Sequence, residues 1–79
     1  SIQPYAAFSA KDGSKVIIAI QNEREWTRFC TQVLKQPELA TDPLFNSNNE
    51  RVKNVETLHK TINNTSNQLS VSEFTTLLT

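Results

Sequence analysis

VIIAIQNEREWTRFC, residues 16–30, joins a run of strand-forming residues directly to a helical pattern. The run VIIAI is rich in β-branched residues, which favour extended backbone. Asn22 is a suitable N-cap, and Glu25 three positions later can bond back to the N–H of the cap, as in a capping box. Apolar residues then recur at the i, i+3, i+4 and i+7 spacing of one helix face, namely Trp26, Phe29, Cys30 and Val33. The stretch therefore predicts a strand followed by an amphipathic helix.

A second strand is predicted upstream. Tyr5 to Phe8 is also rich in strand formers, and the sequence Lys11-Asp12-Gly13-Ser14 separates it from VIIAI. Gly13 can adopt the positive φ of a tight turn, and Asp12 can bond nearby backbone N–H groups. This pattern predicts a β-hairpin. Because VIIAI is apolar on both faces, we expect helices to cover one face and the other to form an exposed apolar patch that favours self-association.

The remainder of the chain predicts helices. Residues 37–40 can form one turn, and a second long helix is expected from Ser47 or Asn48 to about Ile62, ended by the Asn-rich segment 63–67. Ser70 and Glu73 form another capping-box pattern before a last helix that runs to the end. The predicted fold class is α+β, with a small antiparallel β-hairpin or sheet packed against about three α-helices.

Composition excludes several classes of partner. The 79 residues carry eight basic and eight acidic side chains, so the chain lacks the positive field that nucleic-acid binding requires. No apolar run reaches the length of about 18 residues needed to span a membrane. With one cysteine and one histidine, the sequence offers neither an internal disulfide nor a metal site of recognised spacing. We expect a cytoplasmic protein that binds neither nucleic acid nor membrane and holds no metal.

Few residues have the chemistry of an active site. His59 borders the apolar stripe of its helix, and without partners it is better interpreted as structural than as a catalytic base. Cys30 lies on the same face as Trp26 and Phe29, where a thiol behaves as a small hydrophobic group, and a reactive thiolate is the alternative. Trp26 is expected in the core, with a role in an interface as its alternative.

The charged residues, too, are interpreted as structural before they are considered as functional. Glu23 and Glu25 are first-turn carboxylates that the helix dipole favours, and they do not face each other. A mixed-sign set on the second long helix is expected to form a solvated face, with binding of an acidic or nucleotide partner as the alternative; its members are Glu50, Arg51, Lys53, Glu56 and Lys60.

The order of several short motifs resembles the family III CoA-transferases. The similarity begins with P-Y-x-x-F at residues 4–8, the D-G turn and the VIIAI strand, and continues through Asn22 and Trp26. It extends through Pro37-Glu38-Leu39, Asp42-Pro43-x-Phe45, Asn48, Arg51-Val52 and Asn54, which follow one another at the family's spacing. The resemblance covers nearly the whole chain, although no single motif is specific.

The resemblance implies that the chain is the small α+β domain of a longer enzyme whose large CoA-binding domain is absent from residues 1–79. In such transferases an aspartate of the large domain attacks the acyl-CoA and carries the acyl group. The expected parent function is transfer of CoA between carboxylic acids. Acyl-CoA and carboxylic acids would be its substrates, and the partners would be the large domain and the second subunit of an interlocked homodimer. The chain itself is expected to be inert, to contain no catalytic residue and to bind no cofactor.

Gln3 and Pro4 are the active-site loop candidates that the resemblance implies. They match the end of a glycine-rich loop that closes over the active site in some family members, although Ser1 and Ile2 replace its glycines. A solvated surface loop is the alternative interpretation for Gln3. Two other functions remain open at this point: an acyl-CoA racemase or isomerase of the same family, and a stand-alone interaction module that uses its apolar sheet face.

Overall fold

The computed structural model of the chain describes residues 1–79 as one two-stranded sheet and four α-helices. The elements are β1 Tyr5–Ser9, β2 Lys15–Ala19, α1 Glu23–Gln32, a 3-10 helix at Pro37–Ala40, α2 Asn48–Lys53, α3 Val55–Ser66 and α4 Val71–Leu78. The predicted α+β fold class is confirmed. None of the helices is both long enough and apolar enough to cross a membrane.

The hairpin forms as predicted. β1 and β2 are antiparallel, with Tyr5 opposite Ala19 and Ser9 opposite Lys15. Gly13 has a φ of 88°, a backbone conformation that glycine adopts without strain. The Asp12 carboxylate accepts a hydrogen bond of 3.0 Å from the N–H of Ser14. The turn is therefore stabilised by the two residues that sequence analysis assigned to it.

The two faces of the sheet have different environments. Phe8 and Ile18 point into the core, whereas Tyr5 is 67% exposed and Ile17 is 63% exposed. The outward-facing residues Tyr5, Ala7, Ile17 and Ala19 form what we call the outer sheet face. The exposed apolar patch predicted near VIIAI is present, because strand alternation leaves every second residue without a covering helix.

Helix α1 begins at a cap that differs in one detail from the prediction. The side chain of Asn22 accepts a hydrogen bond of 2.9 Å from the N–H of Glu25, as expected. The Glu25 carboxylate, however, accepts from the N–H of Gln21 at 2.7 Å and not from that of Asn22. The predicted apolar stripe of α1 is buried, and it includes Trp26 at 1% exposure. The core prediction for Trp26 is confirmed.

One buried cluster joins the hairpin to the helices. It contains Phe8, Ala10, Ile18, Ile20, Trp26, Phe29, Cys30, Val33, Leu34, Leu39, Phe45, Leu58, Ile62 and Phe74. The C-terminal helix α4 adds Phe74 and has the capping box predicted for it, with Ser70 and Glu73 bonding each other's backbone N–H groups at 3.0 and 2.9 Å. Burial of this cluster is the main source of stability that the chain offers.

The predicted second long helix is wrong in its extent. It divides at Asn54 into α2 and α3, because the Asn54 side chain donates to the carbonyls of Leu44 and Glu50 at 3.1 and 3.0 Å while its own backbone leaves the helical region. The helix also continues through the segment that was expected to end it. Ile62 and Ser66 are both buried on one face, and this packing outweighs the local preference of the asparagines for turns.

Lys35 offers a test of backbone strain. It follows α1 with a φ of 56°, the left-handed conformation that costs a residue with a Cβ about 1 kcal/mol. Lys35→Gly should therefore raise the free energy of unfolding by about 0.5 to 1 kcal/mol, measured by urea denaturation. Gly13→Ala is the reverse change at the other positive-φ residue and should lower it by about 1 kcal/mol. A lower free energy of unfolding in Lys35→Gly would contradict the assignment of backbone strain to Lys35.

Candidate functional site

The segment Ser1–Pro4 contains both residues that the sequence singled out, and side chains of α2 bond it. Pro4 is buried, and its carbonyl accepts a hydrogen bond of 2.9 Å from the N–H of Ile20. Gln3 is half-buried beside it, and the peptide bond between the two is cis. Asn48 and Arg51 bond the backbone of Gln3, and Glu23 bonds Arg51; we call these three residues the clamp.

Asn48 bonds the segment through both atoms of its amide. Its Oδ1 accepts from the N–H of Gln3 at 2.9 Å, and its Nδ2 donates to the carbonyl of Ser1 at 2.8 Å. Asn48 is the first residue of α2, so a rigid helix supports the amide. The pair of bonds fixes the direction of the chain before it enters β1.

Arg51 is buried, and this corrects the prediction of a solvated face. Only 1% of its surface is exposed, although it was grouped with charged residues expected in solvent. Its Nε donates to the carbonyl of Gln3 at 3.0 Å, and its Nη1 donates to the carbonyl of Phe45 at 2.8 Å. The guanidinium also lies 5.0 Å from the centre of the Trp26 ring. A buried guanidinium is tolerated only when its donors are satisfied in this way.

Glu23 completes the set of partners of Arg51. Its carboxylate accepts from Nη1 and Nη2 at 3.0 and 2.7 Å, which is the paired geometry that suits a guanidinium. The Glu23 side chain is 57% exposed, so solvent screens this ion pair on one side. The hydrogen bonds from Arg51 hold the pKa of Glu23 below its usual value. The earlier interpretation of Glu23 as a simple first-turn charge missed this partner.

The lowered pKa of Glu23 predicts a dependence of stability on pH. A carboxylate whose pKa is lower in the folded state stabilises the protein above its unfolded pKa, near 4.5, and this contribution is lost as the pH falls through the folded value. Glu23→Gln should therefore lower the free energy of unfolding at pH 7, and the difference from the unmodified chain should shrink below pH 4.5. Urea denaturation of both proteins at a series of pH values measures this difference in the free energy of unfolding. A difference that stays constant down to pH 3 would contradict the ion pair.

The side chain of Gln3 is oriented by the backbone of β1. Its Oε1 accepts a hydrogen bond of 3.2 Å from the N–H of Tyr5. Because a backbone N–H can only donate, the carbonyl end of the amide must face Tyr5. The Nε2 of Gln3 makes no hydrogen bond within the chain. The two N–H donors of this half-buried amide therefore have no acceptor within the chain.

Cys30 and His59 do not join this site. Cys30 is fully buried, and burial raises the pKa of its thiol to about 12, so it is a neutral core group at pH 7 and the reactive-thiolate alternative is wrong. The ring of His59 packs edge-on against Phe8, with 5.2 Å between the ring centres. Its Nε2 is buried and has no hydrogen-bond partner. This packing favours the structural interpretation of His59.

Neither aspartate in the chain is arranged as a nucleophile. Asp12 bonds the hairpin turn, and Asp42 accepts a hydrogen bond of 2.9 Å from the N–H of Leu44 two residues on. Both carboxylates therefore stabilise local turns, as aspartates commonly do. No group of three or more histidine, cysteine, aspartate or glutamate side chains converges in a way that could hold a metal ion.

A separate apolar groove lies between α1 and the end of α4. It has a volume of about 220 Å³, and its walls combine apolar side chains with the polar side chains of Glu25, Arg28 and Gln32; the apolar ones include Ile20, Phe29, Val33, Leu77 and Leu78. Together with the outer sheet face, it gives this small domain two surfaces at which apolar side chains meet solvent.

The fold and this site define a small α+β domain whose N-terminal segment is fixed in place by a buried arginine. The sequence profile of CoA-transferase family III matches residues 1–79, and the chain belongs to that family. The crystal structure of a CAIB/BAIF family protein from Brucella suis is similar to it, with a TM-score of 0.90 and 31% sequence identity. That similarity covers 98% of this chain and 20% of the other, so this chain spans about a fifth of the Brucella protein's length. Among curated protein sequences, none matches the chain.

Sequence reasoning proposed Gln3 and Pro4 as site residues, which stays a prediction, and it missed the residues that hold them. Asn48 and Arg51 were noted as part of the family resemblance, and their i, i+3 spacing already placed them on one side of a helix. That spacing was the available signal. The partners of Arg51 could not be identified from it, because Gln3 is 48 and Glu23 is 28 residues away in sequence.

Proposed function

We propose that this chain is part of an enzyme that transfers CoA between carboxylic acids, and that it contributes structure and one edge of the substrate site. The observation that carries the proposal is the match of all 79 residues to CoA-transferase family III. The reaction exchanges partners without oxidation: the C–S bond of one thioester breaks, a new thioester forms on the acceptor acid, and the donor acid leaves as a carboxylate.

The chain by itself is inert under this proposal. The reaction needs a nucleophile that can carry the acyl group, and in this chain both aspartates are committed to turns and the only thiol is buried. The nucleophile is then an aspartate of a large CoA-binding domain outside these 79 residues. The acyl-CoA thioester is a substrate of the parent enzyme, and the exchange needs no further cofactor.

The apolar surfaces support a role within a larger assembly. An uncovered sheet face with Tyr5 and Ile17 more than half exposed supports a contact surface, because exposed apolar patches commonly serve as interaction sites. We propose that the large domain and the second subunit of an interlocked homodimer cover the outer sheet face and the apolar groove. We also propose that the protein is cytoplasmic, where its one cysteine stays reduced.

The proposal is tested by expressing the complete natural open reading frame that contains this segment. The purified product is incubated with succinyl-CoA and a panel of acids, namely acetate, oxalate and carnitine, and new acyl-CoA is detected by mass spectrometry. We expect a new thioester with the complete protein and none with residues 1–79 alone. Formation of product by the 79-residue chain would overturn its assignment as inert.

Two results would replace this function with one of its alternatives. Exchange of the α-proton of a 2-methylacyl-CoA with solvent deuterium, without transfer of CoA, would identify a racemase or isomerase of the same family. A natural reading frame that contains only this domain would identify a stand-alone interaction module. In the second case the catalytic proposal fails, because the large CoA-binding domain that it requires is then absent.

A further inference from the structure

The side of β2 that faces away from β1 carries a row of backbone groups without partners. The N–H of Ile20 bonds the carbonyl of Pro4 at 2.9 Å, across the end of the hairpin. Bonded and non-bonded pairs alternate along an antiparallel ladder, so the even-numbered residues bond across the hairpin and the odd-numbered ones point outward. The outward groups of β2 are the N–H and carbonyl groups of Lys15, Ile17 and Ala19, and we call this row the β2 edge. No other part of the chain bonds them.

The corresponding edge of β1 is closed at both ends. The N–H of Tyr5 donates to Oε1 of Gln3 at 3.2 Å. Just beyond the other end of β1, the N–H of Lys11 donates to the carbonyl of Leu69 at 2.7 Å. The N-terminal segment therefore covers one end of this edge, and the linker between α3 and α4 covers the other. The β2 edge is the one at which the sheet can be extended.

The β2 edge lacks the features by which proteins usually prevent edge-to-edge pairing, namely projecting charges, proline and bulges. Its ladder with β1 is regular, and β2 contains no proline. The only charged residue of β2 is Lys15, and its Nζ donates to Oγ of Ser9 on β1 at 2.7 Å, so it is drawn back over the hairpin. Ile17, at the centre of the edge, is apolar and exposed. An open edge of this kind can pair with a further strand.

The β2 edge is complementary to itself. When two copies of β2 run antiparallel about a two-fold axis at Ile17, Ile17 faces Ile17 of the other copy, and Lys15 of each copy faces Ala19 of the other. All the outward groups are then paired, because each facing pair exchanges two hydrogen bonds. Any other register with the same alternation leaves at least one of these residues unpaired. No like charges face each other, and the two isoleucines form an apolar cross-strand pair.

We propose that a second copy of this chain binds at the β2 edge and extends the two-stranded hairpin into one continuous antiparallel sheet, in the order β1-β2-β2-β1. The contact is isologous, since both copies use the same surface. Because the strand is short and the contact is small, the dimer is reversible, with a dissociation constant of about 0.1 to 1 mM. This inference goes beyond the proposed function and does not depend on it.

The matched variants are Ile17→Lys and Ala7→Lys. The two residues lie directly opposite each other in the hairpin and on the same outer sheet face, but only Ile17 belongs to the β2 edge. Sedimentation equilibrium of the 79-residue chain from about 0.02 to 2 mM should give a monomer–dimer equilibrium. The dissociation constant should rise at least about tenfold in Ile17→Lys, because two lysines then face each other across the axis, and should stay within about twofold in Ala7→Lys. Circular dichroism checks that both variants, which change exposed residues, remain folded.

NMR of a mixture of isotope-labelled and unlabelled chains tests the register. The α-proton of Val16 in one copy should give an intermolecular NOE to that of Ile18 in the other, because these residues form the close non-hydrogen-bonded pairs on either side of Ile17. A dimer without this NOE would overturn the pairing.

Two further results would also contradict the proposal. Loss of association in both lysine variants would overturn the edge contact and assign self-association to the outer sheet face. A monomer at all concentrations up to about 2 mM would overturn the second copy as the occupant and leave the β2 edge to a strand of another protein segment. Transfer of CoA by the complete protein is measured separately, so neither result affects the proposed function.

Discussion

Replacing Arg51 by methionine is expected to lower the free energy of unfolding by about 3 to 5 kcal/mol, the usual effect of removing one partner of a buried charged network. The methionine fills much of the space but donates no hydrogen bond. The carbonyls of Gln3 and Phe45 then lose their donors, and the contact between the guanidinium and Trp26 is also lost. The loss of Arg51 costs less at Glu23 than at the two carbonyls, because the Glu23 side chain is 57% exposed and its carboxylate remains solvated.

A loss of this size is comparable to the whole stability of a small domain, since one core of fewer than about 80 residues seldom supplies more than about 3 to 5 kcal/mol. Far-UV circular dichroism should therefore show Arg51→Met largely unfolded at 25 °C, and trimethylamine N-oxide should restore its helicity. Lys53→Met is the matched control on the same helix. Its ion pair with Glu50 is exposed, at 3.3 Å, and its loss should cost about 0.5 kcal/mol or less. Similar urea midpoints for the two variants would contradict the buried role of Arg51.

Trp26→Ala is expected to lower the free energy of unfolding by about 3 to 5 kcal/mol, because it opens a large cavity at the centre of the core. Trp26 is 1% exposed, and its ring centre lies 6.1 Å from that of Phe29 and 6.2 Å from that of Phe45. Removal of the ring takes one aromatic contact from each phenylalanine and the ring contact from the guanidinium of Arg51. Urea denaturation followed by circular dichroism measures the change.

Trp26→Phe sharpens the test. The indole N–H is buried and has no hydrogen-bond partner, so phenylalanine removes an unsatisfied donor while it loses some volume. We expect it to cost about 1 to 2 kcal/mol, clearly less than alanine. Ile17→Thr on the outer sheet face is the surface control and should stay within about 0.5 kcal/mol. A loss in Trp26→Phe as large as in Trp26→Ala would indicate that the indole N–H has a partner.

Local patterns predicted much of this fold. The D-G turn, the stripe of α1 from Trp26 to Val33 and the cap at Ser70 all formed where the sequence indicated. Each depends on residues a few positions apart, and such signals can be read from the chain directly. The exposed patch near VIIAI was predicted for the same reason, because strand alternation requires a second apolar face to point away from the helices.

Predictions failed where distant contacts outweigh local preference. Asn54 divides the expected long helix because its side chain bonds the carbonyl of Leu44, ten residues earlier. The segment 63–66 is helical although its residues favour turns, since Ile62 and Ser66 pack into the core from the same helix. Neither contact can be recognised from the local sequence. Helix propensities differ by less than about 1 kcal/mol per residue, so such tertiary contacts easily override them.

The sequence by itself determined the α+β class, the family resemblance and the candidates Gln3 and Pro4. Only the tertiary structure showed that Arg51 is buried, that Asn48 and Glu23 complete the clamp, and that the free end of the Gln3 amide is its donor end. The physical reason is the range of the interactions. Caps and stripes join neighbours along the chain, whereas the clamp joins the N-terminal segment to helices more than twenty residues away, and such pairs meet only after the core has formed.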